Sequence, residues 1–156
     1  MRILMVCLGN ICRSPMAEGL MRRKLLEANL TGKVDSAGTA NFHIGKSPDY
    51  RMVQTGKIQG TPINNLKARQ FSTQDFEDFD LIYAMDKANY KEIISKARHE
   101  RDKQKVLLIL NEISPNEDLD VPDPYFDGMD AFKEVYELLD RSTEAIKNKI
   151  LDDKNR

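Results

Sequence analysis

The sequence predicts an α/β protein with one parallel sheet, because short apolar segments alternate with segments of helical periodicity along the chain. The first apolar segment leads through a glycine-containing loop into a helical pattern, an order typical of open α/β sheets. No internal repeat, linker or change of composition divides the 156 residues. We therefore expect a single domain over residues 1–156.

Four strands and four helices can be placed in order. The first strand, 2–8, contains the apolar run 3–6. The first helix, 15–28, carries Met16, Leu20, Met21 and Leu25 at helical spacing, which indicates core contacts. The other strands are predicted at 34–37, 80–84 and 106–110. The other helices are predicted after Pro48, at 87–97 and from Met129 onward.

Composition and charge are those of an ordinary globular chain. The formal net charge is -1 and 40% of the residues are hydrophobic, which is enough for one core. No apolar run reaches the length of a membrane span, and the start of the chain lacks a secretory pattern. Acidic residues interrupt the basic run 96–105, so a solvated helix end and loop is favoured over a nucleic-acid surface. We expect a cytoplasmic protein with no nucleic-acid or membrane partner.

The loop after the first strand carries the clearest chemistry. Cys7 and Arg13 are six positions apart, and a loop that turns its backbone N–H groups inward can bring both to one oxyanion. Inward N–H groups, a helix N-terminus and an arginine all stabilise a thiolate, the nucleophilic form of Cys7. Arg13 also offers a planar fork to two phosphoryl oxygens. The pattern therefore indicates phosphoryl transfer to cysteine.

The neighbouring positions suit a tight anion-binding turn. Gly9 and Asn10 are expected to adopt the positive φ angles that such a turn requires. Ser14 is expected to cap the helix and to donate to the Cys7 thiolate when that thiolate is the leaving group. The alternative for Cys7 is an ordinary buried strand cysteine. The joint placement of thiol, glycine, arginine and serine at a strand-to-helix turn favours the anion site.

With these residues the chain resembles the low-molecular-weight protein tyrosine phosphatases, whose signature is a cysteine, five residues, an arginine, and then serine or threonine near the N-terminus. The resemblance continues over nearly the whole chain, through the segments 34–37, 44–45, 48–51, 68–70, 85–86 and 123–126. It implies a three-layer α/β/α fold with a four-stranded parallel sheet and the phosphate-binding loop after the first strand. It also implies hydrolysis of phosphotyrosine in partner proteins, with inorganic phosphate and other oxyanions as inhibitors.

The resemblance assigns the role of general acid and base to Asp123. A carboxyl group that protonates the tyrosyl oxygen while the P–O bond breaks makes that oxygen a better leaving group. From the residues alone, Asp123 is one of several loop acids in this stretch. Tyr125 and Phe126, with Phe42 opposite them, are expected to form an apolar wall for a phenyl ring.

The implied mechanism has two in-line transfers through a phosphorylated Cys7. Arg13 and the loop amides stabilise the equatorial oxygens. The scheme requires no metal or cofactor, and His43 and His99 do not fall in a metal-ligand spacing. The residues expected to contact the substrate are Leu8, Gly9, Asn10, Ile11, Cys12, Ser14, Phe42, Tyr125 and Phe126.

Two further roles follow from the resemblance. In relatives the two loop cysteines form a reversible disulfide, which implies that Cys7 and Cys12 protect the thiolate from irreversible oxidation. The alternative for Cys12 is a small apolar residue beneath the loop. Many relatives carry a histidine where Gln59 stands, and there it helps to anchor the loop asparagine. We hypothesise that Gln59 and Ser36 support Asn10 here.

Other functions use similar features. Protein-arginine phosphatases share this framework but tend to carry threonine where Ile11 stands, and Ile11 better suits an aromatic leaving group. Thioredoxin-coupled arsenate reductases need more cysteines than the two present. A non-catalytic phosphate- or nucleotide-binding module could use the same loop, and segment 40–47 fits a permissive nucleotide-binding pattern. The bulky interior of that segment and the absence of a strong apolar strand before it disfavour nucleotide binding.

Overall fold

The computed structural model describes residues 1–156 and shows one parallel sheet between two layers of helices. The sheet has the order β2-β1-β3-β4. Its strands are β1 (Arg2–Cys7), β2 (Lys33–Gly38), β3 (Leu81–Ala84) and β4 (Val106–Leu108). All three pairings are parallel, which confirms the predicted four-stranded sheet.

Six helices flank the sheet. They are α1 (Arg13–Glu27), α2 (Tyr50–Ile58), α3 (Asp75–Asp78), α4 (Lys87–Ser95), α5 (Glu100–Gln104) and α6 (Met129–Lys154). Helices α1, α2 and α6 contribute to the larger of two hydrophobic cores, whereas α3 and α4 contribute to the smaller one. None of the helices combines the length and the apolarity that a membrane span requires.

The alternation of side chains along β1 explains why the helices must cover both faces of the sheet. Ile3, Met5 and Cys7 point into the larger core, and Leu4 and Val6 point into the smaller one. The four residues from Ile3 to Val6 are fully buried. Burying an aliphatic side chain of this size stabilises a fold by about 1.5–3 kcal/mol. Strand β1 is therefore the rigid element from which the functional loop starts.

The predicted elements are confirmed, with differences where local packing decides. The last strand ends at Leu108, and Ile109–Glu112 form a 3-10 turn that carries Ile109 into the larger core. Two short helices, α3 and α5, were not predicted. Helix α5 lies in the basic run 96–105, where Asp102 accepts two side-chain hydrogen bonds from Arg98. The hydrogen bonds from Arg98 offset the burial of this acid and hold a helical turn that the local sequence pattern did not show.

Candidate active site

The loop over residues 7–14, called the anion loop below, lies at the carboxyl end of β1. The strand order changes direction beside β1, and such points are where open α/β sheets bind ligands. A cleft of about 190 Å³ opens there. The residues that line it are Cys7, Leu8, Gly9, Ile11, Cys12, Arg13, Phe42, His43, Asp123, Tyr125 and Phe126. The cleft therefore joins the three predicted catalytic residues, although Asp123 is far in sequence from Cys7 and Arg13.

Cys7 and Asn10 anchor the anion loop from beneath. The Cys7 side chain is buried, and its Sγ lies 3.0 Å from Ser14 Oγ. Asn10 Nδ2 donates to Ser14 Oγ at 2.8 Å and to Ser36 Oγ at 2.9 Å. Asn10 Oδ1 accepts from the backbone N–H of Arg69 at 3.0 Å. The structure thus shows the predicted contact between Ser36 and Asn10, and it adds Arg69 as a support that the sequence did not indicate.

The same network continues to a buried carboxyl group that sequence reasoning missed. Ser36 Oγ donates to Glu18 Oε1 at 2.6 Å, and Arg22 donates to Glu18 Oε2 at 2.6 Å. Burial raises the pKa of Glu18 above its ordinary value, although the hydrogen bonds from Ser36 and Arg22 oppose this shift. The sequence did contain a signal, the i,i+4 spacing of Glu18 and Arg22. Such pairs are common on helix surfaces, so the spacing did not indicate a buried acid.

The predicted support of Asn10 by Gln59 is wrong. Gln59 is exposed at the carboxyl end of α2, and Asn10 makes its side-chain hydrogen bonds elsewhere. The Gln59 backbone carbonyl accepts a hydrogen bond from Arg23 NH1 at 3.2 Å. The backbone N–H of Arg69, and not Gln59, supports the Asn10 side chain.

Two expectations about the loop backbone also need correction. Asn10 has a φ of 57° as predicted, but Gly9 is not in the positive-φ region. A Cβ at Gly9 would lie 2.9 Å from His43 Cδ2, so a larger residue at this position would displace the His43 ring. Ser14 does not cap α1, because the helix begins at Arg13 without a side-chain cap. Its hydroxyl faces the Cys7 sulfur, where it can donate to a thiolate.

Arg13 is almost fully buried, and acidic and carbonyl oxygens hold its guanidinium in place. Its NH1 donates to Asp86 Oδ2 at 2.7 Å and to the Val121 carbonyl at 3.0 Å. Its NH2 lies 3.7 Å from Asp123 Oδ2. Burial opposes the charge, but the neighbouring Cys7 sulfur and Asp86 carboxylate outweigh burial and raise the pKa of Arg13. The guanidinium is therefore a permanent cation at the wall of the cleft.

On the opposite side of the cleft lie Asp123, Tyr125 and Phe126. They belong to residues 113–128, called the acid segment below, which contain no helix or strand. The Asp123 side chain is 44% exposed, and its Oδ1 accepts from the Tyr125 N–H at 3.2 Å. The rings of Tyr125 and Phe126 meet edge to face with centroids 5.0 Å apart. The acid is thus beside an aromatic surface and open to solvent.

His43 completes the aromatic rim, although the sequence did not indicate it. Its ring centroid lies 6.4 Å from that of Phe42 and 6.3 Å from that of Tyr125. The predicted walls, Phe42 and Tyr125, therefore both line the cleft, and the imidazole stands between them. No group of three or more His, Cys, Asp or Glu side chains in the chain is arranged to hold a metal ion.

Cys12 lines the cleft but differs from Cys7 in its surroundings. Both cysteines are free thiols. Desolvation by burial, followed by the nearby Asp49 carboxylate, raises the pKa of Cys12, so this thiol stays protonated at neutral pH. A protonated, buried thiol fits the reading of Cys12 as a small packing residue beneath the loop. The redox role of the cysteine pair stays a prediction.

Fold and site together define an α/β protein with a cysteine–arginine anion loop after the first strand and a carboxylate facing the same cleft. A family model described as low molecular weight phosphotyrosine protein phosphatase matches residues 2–156. The chain belongs to this family, which confirms the resemblance found in the sequence.

Individual relatives agree with this assignment. The low molecular weight phosphotyrosine protein phosphatase of Schizosaccharomyces pombe is 40% identical over 94% of this chain and 96% of its own length. A crystal structure of protein tyrosine phosphatase from Entamoeba histolytica, with Hepes in the active site, covers 99% of both chains at 36% identity and a TM-score of 0.92. An arginine phosphatase from Drosophila is similar too, with a TM-score of 0.89 and 36% identity over 96% of this chain and 98% of that one.

Proposed function

We propose that this protein hydrolyses phosphotyrosine in proteins through a phosphocysteine intermediate on Cys7. The observation that carries the proposal is the single cleft in which Cys7, Arg13 and Asp123 meet beneath an aromatic rim. A nucleophile, a cation and a proton donor are the groups that phosphate-monoester transfer requires. Membership in a family of phosphatases supports the same reaction.

In the first step the Cys7 thiolate attacks phosphorus and the bond from phosphorus to the tyrosyl oxygen breaks. Asp123 gives its proton to that oxygen, so tyrosine leaves as a neutral phenol. The N–H groups of Arg13 that are not held by Asp86 and Val121 donate to the equatorial oxygens. Because the guanidinium is anchored before substrate binds, little reorganisation is needed in the transition state.

In the second step water attacks the phosphocysteine and the bond from phosphorus to sulfur breaks. The Asp123 carboxylate takes the proton from water, and inorganic phosphate leaves. Ser14 Oγ, 3.0 Å from Cys7 Sγ, donates to the departing thiolate. Product phosphate and similar oxyanions bind the same loop, so they act as competitive inhibitors in this proposal.

The aromatic rim supports an aryl substrate. Phe42, His43, Tyr125 and Phe126 line the cleft mouth, and Ile11 adds an apolar surface within it. A phenyl ring gains both apolar burial and edge or stacked contacts in such a site. Phosphoarginine is the second candidate substrate, because the Drosophila neighbour with the same fold is an arginine phosphatase. The arginine side chain is flexible and cationic and would use the aromatic rim less fully.

The test is metal-free hydrolysis of a phosphotyrosine peptide and a matched phosphoarginine peptide by the wild-type protein and by Cys7→Ser. We expect phosphotyrosine turnover that Cys7→Ser abolishes, together with a phosphorylated Cys7 that rapid acid quenching and mass spectrometry detect in the wild type. Faster turnover of the phosphoarginine peptide than of the phosphotyrosine peptide would overturn the phosphotyrosine assignment and favour phosphoarginine as the substrate. Absence of turnover on either peptide by the folded, reduced wild type would overturn it.

A further inference from the structure

Arg51 connects the acid segment to the rest of the molecule. It is the second residue of α2, and its guanidinium lies 4.4 Å from the ring centroid of Phe132 in α6. Its NH2 donates to the Tyr125 carbonyl at 2.8 Å, and its NH1 donates to the Asp127 carbonyl at 3.1 Å. One side chain thus joins two helices to the segment that carries Asp123.

Asp49 holds the Arg51 fork in this orientation. Asp49 Oδ1 accepts from Arg51 Nε at 3.1 Å, and Oδ2 accepts from Arg51 NH2 at 3.0 Å. Burial disfavours the Asp49 carboxylate, but the hydrogen bonds from Arg51 outweigh burial and lower its pKa. The backbone N–H of Asp49 donates to the Ile11 carbonyl at 2.7 Å. Asp49 therefore fixes the orientation of Arg51 relative to the anion loop.

Asp123 lies between two anchors. On its amino side, the Val121 N–H donates to the Met85 carbonyl at 2.9 Å, and the Val121 carbonyl accepts from Arg13. On its carboxyl side, the contacts of Arg51 hold the carbonyls of Tyr125 and Asp127. The Asp123 carboxylate itself has a hydrogen bond from the Tyr125 N–H and a 3.7 Å contact with Arg13. Its position therefore depends on the backbone that the two anchors hold.

We propose that Arg51 is a positioning residue that places Asp123 for proton transfer to the leaving group, by fixing the backbone of residues 125–127 relative to the anion loop. This inference rests on the proposed function of Asp123. Arg51 touches neither the phosphoryl group nor the reacting atoms. It acts through Tyr125, whose carbonyl accepts from Arg51 and whose N–H donates to the Asp123 carboxylate. A lysine has the charge but not the planar fork that binds a carboxylate and two carbonyls at once.

The experiment measures kcat/KM across aryl phosphates of graded leaving-group acidity for the wild type, Arg51→Ala, Arg51→Lys and Asp123→Asn. Displacing an acid by about 1 Å costs up to about 100-fold in rate. We expect Arg51→Ala to lose about 10- to 100-fold on the poorest leaving groups and little on the best, giving a steeper leaving-group dependence. Arg51→Lys should resemble Arg51→Ala. The matched control is Arg2→Ala, which removes an exposed pair with Asp80 from the other end of β1 and should leave the dependence unchanged.

A second arm combines Arg51→Ala with Asp123→Asn. If Arg51 acts through Asp123, the double variant should be within about twofold of Asp123→Asn alone on every substrate. A further loss in the Asp123→Asn background, or an equal loss on all leaving groups, would overturn the proposal and assign Arg51 a general structural role. Full recovery by Arg51→Lys would overturn it too, because charge alone would then suffice.

Hydrogen exchange separates failure of this inference from failure of the proposed function. Amides of residues 121–128 should exchange faster in Arg51→Ala than in the wild type and Arg2→Ala, whether or not the protein is a phosphatase. Unchanged exchange in an active enzyme overturns the positioning role alone. A wild type that turns over substrate with a leaving-group dependence unaffected by Asp123→Asn overturns the acid role and the inference together.

Discussion

The anion loop and the acid segment form two sides of one cleft, but they are held in different ways. Asn10, Arg13 and Ser14 of the anion loop are each at least 96% buried, and their polar groups bond to several elements of the fold. In the acid segment, Asp123 is 44% exposed and Phe126 is 94% exposed. The comparison teaches that the part proposed to stabilise charge is built into the core, whereas the part proposed to contact the substrate ring is a surface segment.

This difference has a physical basis. A preorganised cradle for an anion is effective because its dipoles and cation do not move during the reaction. The cradle must therefore be rigid, and the burial of Asn10, Arg13 and Ser14 at the end of β1 restricts its motion. A proton donor must follow leaving groups of varied shape, and an exposed side chain on an anchored backbone permits that. Substitutions should accordingly change stability and activity together in the anion loop, but activity alone in the acid segment.

Arg13→Lys should have the largest effect, because it tests the rigid side of the comparison. The ammonium group of lysine has the charge but cannot hold Asp86 and Val121 while it presents a fork to the phosphoryl group. We expect kcat/KM on an aryl phosphate to fall by about 10³-fold. The free energy of unfolding should fall as well, since Asp86 loses part of its partner. Unaltered turnover would show that charge alone, without the anchored geometry, stabilises the transition state.

Asp123→Asn tests the exposed side. Loss of a general acid costs about 10²–10⁴-fold, and the loss should be greatest on phosphates with poor leaving groups. The side chain is partly exposed, so the free energy of unfolding should change by no more than about 0.5 kcal/mol. Urea titration and steady-state kinetics on the same preparation check both statements. A marked loss of stability would remove the contrast between the two regions.

Asn10→Ala and Gln59→Ala form a matched pair within this comparison. Asn10→Ala removes three hydrogen bonds from a buried position and leaves alanine at a φ of 57°. We expect a loss of about 2–3 kcal/mol in the free energy of unfolding, with reduced turnover. Gln59→Ala should change neither, because the side chain is exposed and does not contact Asn10. Equal effects of the two variants would contradict the network seen here.

Glu18→Gln should have the smallest effect, and that effect is a change in how the free energy of unfolding depends on pH. Burial raises the pKa of Glu18 above 4.5, so the folded state binds this proton more tightly than the unfolded chain does. The contribution of Glu18 to stability is therefore complete below pH 4.5 and is lost as pH rises through the raised value. Urea unfolding between pH 4 and 7 should show this decline in the wild type, and Glu18→Gln should reduce it. A decline of the same size in both proteins would show that a group other than Glu18 causes the pH dependence.

Some parts of the site could be read from the sequence because they are local. Cys7, Asn10 and Arg13 belong to one strand–loop–helix unit, so spacing alone brings them to one ligand. The assignment of Asp123 needed the family pattern, because nothing in its neighbourhood separates it from the other acids of the segment. The hypothesis for Gln59 used a family position without its geometry, and it was wrong.

The sequence by itself determined the layered parallel fold and the anion loop, because alternation of apolar patterns and a short motif are local properties of the chain. Only the tertiary structure decided which distant groups complete the site. Glu18, His43, Arg51 and Arg69 act across helices and strands, and the contacts that place them join positions up to 82 residues apart. Such contacts depend on how buried faces pack, and residue spacing does not encode that packing.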